Sequence, residues 1–90
     1  MMRQHIIDVL NEGLERTGRP MKASDVILAV MVRFGFYKKE GAGWLTVECI
    51  KLAKIVSVSL GTSYGLLWDR VRQGYYAPLG WASKKERGAV

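Results

Sequence analysis

The chain has 90 residues, of which 49% are hydrophobic and 24% are charged, and this composition excludes broad disorder and predicts one globular domain. The single cysteine excludes an internal disulfide and a zinc site built from cysteines, so we expect a cytoplasmic protein. The net charge of +6 favours polyanionic partners, and residues 45–90, with seven basic and three acidic groups, carry +4 of it.

Few residues in the sequence suit membrane insertion or catalysis. The longest apolar run, Val26 to Val32, is too short to span a bilayer, and the N-terminal segment carries acidic residues where a signal peptide would be apolar. His5 is the only histidine and has no evident partner for proton transfer, while Cys49 has no evident base beside it. We therefore expect no enzymatic activity, no cofactor, no metal site and no membrane association.

Residues 3–34 are predicted to form two helices. In the first helix, Arg3 to Thr17, aliphatic side chains recur at spacings of three and four, which is typical of an amphipathic helix. Gly18 and Pro20 are placed to end it. The residues of its apolar stripe are Ile6, Ile7, Leu10 and Leu14.

Ser24 suits the N-cap of the second helix, which we expect to continue to about Arg33. The apolar run inside it leaves no polar face, and its β-branched residues leave a buried strand as the alternative. A helix that is apolar all round must be covered on all sides, and a second copy of the chain could provide part of the cover. We therefore predict a homodimer whose interface includes Ile6, Leu10, Val30 and Met31.

Residues 46–74 are predicted to hold two more helices joined by a short turn. Thr46 suits the cap of the third helix, which we expect to run from Val47 to Val56 or Val58. Ser59 or Thr62 suits the cap of the fourth, predicted over residues 59–73.

A short hairpin is predicted after the fourth helix, over residues 75–83. Gly74 suits the position after a helix, where a positive φ is often required. Tyr75–Ala77 suits one strand, and Trp81–Ser83 suits its partner beyond a turn that contains proline and glycine. Residues 84–90 form a basic tail.

The stretch "LAKIVSVSLGTSYGLL", residues 52–67, resembles the helix-turn-helix of bacterial winged-helix regulators. Small Ala53 suits the crossing of two helices, Leu52 and Val56 suit the core, and Val58 suits the turn between the helices. The resemblance implies a mainly α, winged helix-turn-helix fold of about four helices with a short C-terminal β-hairpin. It also implies that helix 59–73 lies in the major groove of DNA.

Two interpretations of the fourth helix remain open. The resemblance implies that Ser63 faces inward and Tyr64 faces DNA. A strong apolar stripe on the same segment instead includes Tyr64, which would then face the core. The turn also has Ser57 where the family usually has glycine. The alternative stripe consists of Leu60, Tyr64, Leu67 and Val71.

The resemblance implies a dimeric, double-stranded DNA-binding transcriptional regulator. Two alternatives are a protein-binding winged-helix adaptor that uses exposed aromatic residues such as Tyr64 and Trp68, and an architectural DNA binder of low sequence specificity. The predicted DNA-binding residues are basic or hydroxyl-bearing, apart from one glutamine, because such groups contact phosphates and base edges. They are Lys51, Lys54, Ser59, Thr62, Tyr64, Arg70, Arg72, Gln73, Lys84 and Lys85.

Overall fold

The structure is a computed structural model that describes residues 2–36 and 47–81. In these ranges the protein is mainly helical, as predicted, with a small antiparallel sheet whose strands lie in the order β1-β3-β2. The described residues contain three helices, and none of them is long and apolar enough to cross a bilayer. The elements in chain order are α1 (Met2–Thr17), β1 (Met21–Lys22), α2 (Ala23–Arg33), α3 (Val47–Ser63), β2 (Trp68–Arg72) and β3 (Tyr75–Pro78).

Helix α1 forms where it was predicted, but of its predicted apolar stripe Ile7 and Leu14 are only half-buried. Its buried side includes Ile6, Val9 and Leu10, and the helix ends at Gly18, which has a positive φ of 70° and donates to the Leu14 carbonyl. A glycine at this position avoids the strain that a Cβ would introduce. The local pattern was therefore sufficient to define α1.

Helix α2 begins at Ala23, one residue before Ser24, which was predicted as its N-cap. Lys22 is the extended residue before the helix, and no side chain caps it. Instead the Ala23 N–H donates to the Gly74 carbonyl at 2.9 Å, so the start of α2 is attached to the turn between β2 and β3. The predicted choice of helix over strand is confirmed for this segment.

The four residues predicted to form a dimer interface lie in the core of a single chain. Their exposed fractions are between 0 and 6%, so their side chains are already covered by the other elements of the same molecule. This corrects the predicted interface: the buried side of α2 packs on α1 and α3 of its own chain, whereas Leu28 and Val32 of the same helix are exposed. The four residues are Ile6, Leu10, Val30 and Met31.

Helix α3 is one continuous helix where two were predicted. Val58, expected in a turn, lies within it and is exposed, whereas Ser63 at its end is buried. The helix ends because the chain turns at Gly65, which has a φ of 84°, and the N–H groups of Leu66 and Leu67 both donate to the Ser63 carbonyl. The predicted fourth helix over residues 59–73 is therefore wrong.

The second half of that predicted helix is strand β2, which pairs with β3. The two strands are joined by a tight turn at Gln73–Gly74, where Gly74 has a φ of 80°. The strand predicted over Tyr75–Ala77 is confirmed, but its partner precedes it in the chain. Trp81 lies outside the strands, and residues 82–83 of the predicted partner strand lie outside the described residues.

Trp68 connects the hairpin to α3. Its side chain is fully buried, and its indole N–H donates to the Leu60 carbonyl of α3 at 3.3 Å. Burial of Trp68 anchors the start of β2, whereas Arg70, Val71 and Arg72 farther along the strand are all exposed. The hairpin is therefore held in a defined orientation beside the end of α3.

Candidate nucleic-acid interface

Helix α3 has one face in the core and one in solvent. Cys49, Leu52, Val56 and Leu60 are buried. On the opposite side, residues at positions i, i+4, i+7 and i+11 form a line along the helix. We call this exposed side the α3 outer face, and its residues are Val47, Ile50, Lys51, Lys54, Ile55 and Val58.

The α3 outer face combines aliphatic and cationic side chains. The exposed fractions of its four aliphatic residues are between 51 and 62%, so the four together form an apolar surface on one side of the helix. Lys51 and Lys54 lie among them and are also exposed. The one carboxylate on α3 is Glu48, in the first turn, so the surface is apolar and positively charged.

The two hydroxyl-bearing residues of α3 that were predicted to bind DNA contribute little to this face. The Thr62 hydroxyl lies 3.0 Å from the Val58 carbonyl of the same helix and donates its proton there. Ser59 is half-buried toward the edge of the core. Neither residue therefore presents a free, fully exposed hydroxyl donor comparable to the two lysines.

The β2–β3 hairpin points its two arginines to opposite faces. Arg70 lies opposite Tyr76, and Arg72 lies opposite Tyr75. Consecutive residues of a strand point to opposite faces, so Tyr75 and Tyr76 do as well. The register shift between Arg70 and Arg72 is a bulge that turns Arg72 away from the face of Arg70.

Each of these arginines stacks on a tyrosine. The guanidinium carbon of Arg70 lies 4.1 Å from the centre of the Tyr64 ring, and that of Arg72 lies 4.1 Å from the centre of the Tyr75 ring. Stacking restrains a guanidinium while leaving N–H groups at its edge available for other acceptors. Phosphate oxygens are suitable acceptors because they accept paired hydrogen bonds from this group.

The cations of α3 and the hairpin are not neutralised by carboxylates within the described ranges. The ion pairs found there all involve Arg33, which contacts Asp8 at 3.3 Å and Glu12 at 2.9 Å and so joins α2 to α1. Asp69 of the hairpin instead accepts a hydrogen bond from the Gly80 N–H at 3.0 Å. Positive charge therefore remains available on α3 and the hairpin, whereas part of the charge on the α1–α2 side is compensated.

The structure brings some predicted DNA-binding residues together and separates others. Lys51 and Lys54 share the α3 outer face, and Arg70 contacts Tyr64 beside the end of α3. Arg72 and Gln73 are exposed where β2 meets the turn. Trp68, an aromatic anchor in the adaptor alternative, is in the core, and Lys84, Lys85 and the predicted cap Thr46 lie outside the described residues.

The sequence interpretation missed the exposed aliphatic residues of α3. Apolar side chains occur at nearly every angle around residues 47–58, so periodicity alone does not show which of them face solvent. Packing against α1 and α2 selects the buried set. The missed residues are Val47, Ile50, Ile55 and Val58.

The described residues contain no grouping that suits metal binding. No group of three or more histidine, cysteine, aspartate or glutamate side chains that could hold a metal ion occurs in the two described ranges. Cys49 is fully buried in α3, whereas the His5 ring packs edge-on against Phe34 with a centroid distance of 4.8 Å.

Comparisons with known protein families, with curated proteins and with solved structures found no match to the chain.

Proposed function

We propose that the protein binds double-stranded DNA, with the α3 outer face in the major groove and the edge of the hairpin against the phosphate backbone, so that Arg70 and Arg72 reach different phosphates from its two faces. The observation that carries this proposal is the set of exposed cations on α3 and on the adjoining hairpin, none of which forms an ion pair within the described residues. Polyanion binding depends mainly on such charges. The four cations are Lys51, Lys54, Arg70 and Arg72.

The arrangement of elements supports the same proposal. A solvent-facing helix followed directly by an antiparallel hairpin is what a winged-helix DNA-binding domain requires, and here α3 takes the place expected of residues 59–73. The 17 residues of α3 extend about 25 Å at 1.5 Å per residue. The major groove of B-DNA is about 12 Å wide and admits a helix of this kind.

The side chains favour phosphate contact over hydrogen-bonded reading of bases. Bidentate contacts to guanine or adenine come from arginine, lysine, asparagine or glutamine, and of these the α3 outer face has only its two lysines. Its lysines bind phosphates as point charges. We therefore propose weak hydrogen-bonded sequence selection, as in an architectural binder, while a role as a transcriptional regulator rests on the winged-helix resemblance alone.

A second candidate function is docking of another protein on the same surface. The four exposed aliphatic residues favour it, because contiguous exposed apolar surface commonly marks protein interfaces. Duplex DNA is preferred here because lysines interrupt the aliphatic residues along the helix. An acidic partner protein would exploit the same surface, and a direct test of DNA binding separates the two.

The test is a fluorescence anisotropy titration of a labelled duplex, two helical turns long and of mixed sequence. The wild-type protein should bind, and Val58→Glu should reduce the affinity strongly because it places a carboxylate in the groove opposite phosphates. The matched control is Val32→Glu on α2, since Val58 and Val32 are 58% and 60% exposed. We expect both variants to keep the wild-type circular dichroism spectrum.

Two results would contradict the proposal. The wild-type protein could fail to bind the duplex at low salt, which would leave the protein-docking candidate. Alternatively, Val32→Glu could weaken binding as much as Val58→Glu, which would mean that total charge rather than the α3 outer face determines the affinity.

A further inference from the structure

The aliphatic residues of the α3 outer face imply a particular kind of base recognition, if the proposed DNA-binding function holds. Val47 and Val58 lie on the most exposed line of the helix, with Lys51 and Lys54 between them. Ile50 and Ile55 lie on either side of that line. A helix presented to the major groove in this orientation would place aliphatic carbon against the base edges.

Most of the major-groove surface of a base pair is unsuited to aliphatic contact. The groove presents hydrogen-bond donors and acceptors, and its one apolar feature is the C5-methyl group of thymine. Covering a donor or acceptor with an aliphatic side chain removes water without replacing its hydrogen bond, which is unfavourable. Covering a methyl group removes apolar surface from water on both sides, which is favourable.

We propose that the α3 outer face recognises C5-methyl groups of pyrimidines in the major groove. The preferred ligand is a duplex in which thymine, or cytosine methylated at C5, lies under the valine and isoleucine side chains. Recognition of this kind requires no hydrogen-bonding side chain, which agrees with the lack of arginine, asparagine and glutamine on this face. It would select methyl-rich segments rather than one defined sequence.

The dimensions of the face are compatible with contact to several base pairs. Val47 and Val58 are 11 positions apart, which corresponds to about 16 Å along the helix axis. At about 3.4 Å per base pair, this length spans roughly four or five base pairs of a duplex. The lysines between the two valines can extend their aliphatic stems over the groove while their ammonium groups reach phosphates at its edges.

Charge complementarity decides between DNA and an amphipathic helix of another protein as the occupant. The lysines of the face and the stacked arginines of the hairpin all project from adjoining elements, and Glu48 is the one carboxylate on α3. A duplex offers both the apolar methyl groups and a continuous row of phosphates within reach of such cations. We therefore assign the face to methyl-bearing duplex DNA.

The experiment compares duplexes that differ only in C5-methyl groups. The first pair of duplexes has one sequence, with thymine in one duplex and deoxyuridine in its place in the other. The second pair has a cytosine-rich sequence, with 5-methylcytosine in one duplex and unmethylated cytosine in the other. We expect the methylated member of each pair to bind about fourfold more tightly for each methyl group covered. All duplexes carry the same phosphates, so the salt dependence should be equal.

Variants connect the effect to the helix. Val58→Ala should reduce the discrimination between thymine and deoxyuridine duplexes while leaving the salt dependence unchanged, because it removes apolar contact and no charge. Val32→Ala, with a similarly exposed valine on α2, should leave the discrimination unchanged. Both side chains are exposed, so neither change should affect folding.

The possible failures are distinguishable. Equal binding of all the duplexes, with the usual fall in affinity at high salt, would overturn methyl recognition and leave DNA binding in place. Discrimination that is the same in Val58→Ala as in the wild type would also overturn it, because the effect would then arise elsewhere. No binding to any duplex would overturn both proposals.

Discussion

Replacing Lys51 and Lys54 together with glutamine should remove a defined part of the salt dependence of DNA binding. Each cation that neutralises a phosphate releases counterions and contributes about 0.9 to the slope of log affinity against log salt concentration. If Lys51, Lys54, Arg70 and Arg72 each contact a phosphate, they contribute a slope of about −3.6. The double variant should retain about half of this contribution.

The expected change is large enough to measure. Between about 50 and 200 mM salt, a slope of −3.6 corresponds to a loss of affinity of roughly 150-fold, and the remaining slope of −1.8 to roughly 12-fold. Basic residues outside the described ranges, such as Lys84 and Lys85, would add equally to both proteins. The prediction is therefore a difference in slope of about 1.8 between the wild type and the variant.

The assay is anisotropy of one labelled duplex at several salt concentrations, with a variant of equal net charge as control. Arg3→Gln combined with Arg16→Gln removes two exposed charges from α1 and should leave the slope unchanged. A Lys51→Gln/Lys54→Gln slope equal to that of the wild type would refute the assignment of α3 to phosphate contact. An equal decrease in the control would show a general charge effect instead.

Two further predictions concern the fold. Trp68→Ala should lower the free energy of unfolding by about 3 to 5 kcal/mol, because it empties a fully buried site and removes the hydrogen bond to Leu60. Urea titrations followed by circular dichroism measure this change. A loss under about 1 kcal/mol, comparable with that expected for the exposed Val71→Ala, would argue against Trp68 as an anchor. Val30→Asp should unfold the chain, because Val30 is fully buried in its core. If the wild type is instead a dimer and the variant a folded monomer, the dimer interface predicted from the sequence would be correct.

The N-terminal helices were predictable because their signals are local. The spacing of Ile6 and Leu10 and the position of Gly18 define α1 without reference to the rest of the molecule. The apolar character of α2 was also evident, but what covers it was not. Whether Val30 packs on its own chain or on a second copy depends on α1 and α3, and a single sequence does not reveal that contact.

The error over residues 59–73 has a physical cause. Leu60, Tyr64, Leu67 and Val71 satisfy helical spacing, but the chain turns at Gly65 and the burial of Trp68 against α3 favours a strand. A signal for this was present in the sequence. Two runs, "WDRVR" and "YYAP", are separated by only Gln73 and Gly74, which is a spacing typical of a β-hairpin.

The candidate site was predictable in its charges and not in its shape. Lys51 and Lys54 were predicted to bind DNA from their places beside and within the stretch that resembles a helix-turn-helix. Both are exposed on α3. The exposure of Val58 and Ile55 could not be inferred, because it follows from the rotation of α3 that buries Val56. That rotation is set by packing between elements distant in sequence, so the aliphatic part of the surface is evident only in the structure.

The central claim is that duplex DNA contacts the α3 outer face, and the most direct measurement is an NMR titration of isotopically labelled protein with a short duplex. The account predicts the largest amide shift changes around Lys51, Lys54 and Val58, with a second group at the hairpin arginines. It predicts small changes along the acidic side of α1, near Asp8 and Glu12. Changes concentrated on α1 or α2, or none at all, would contradict it.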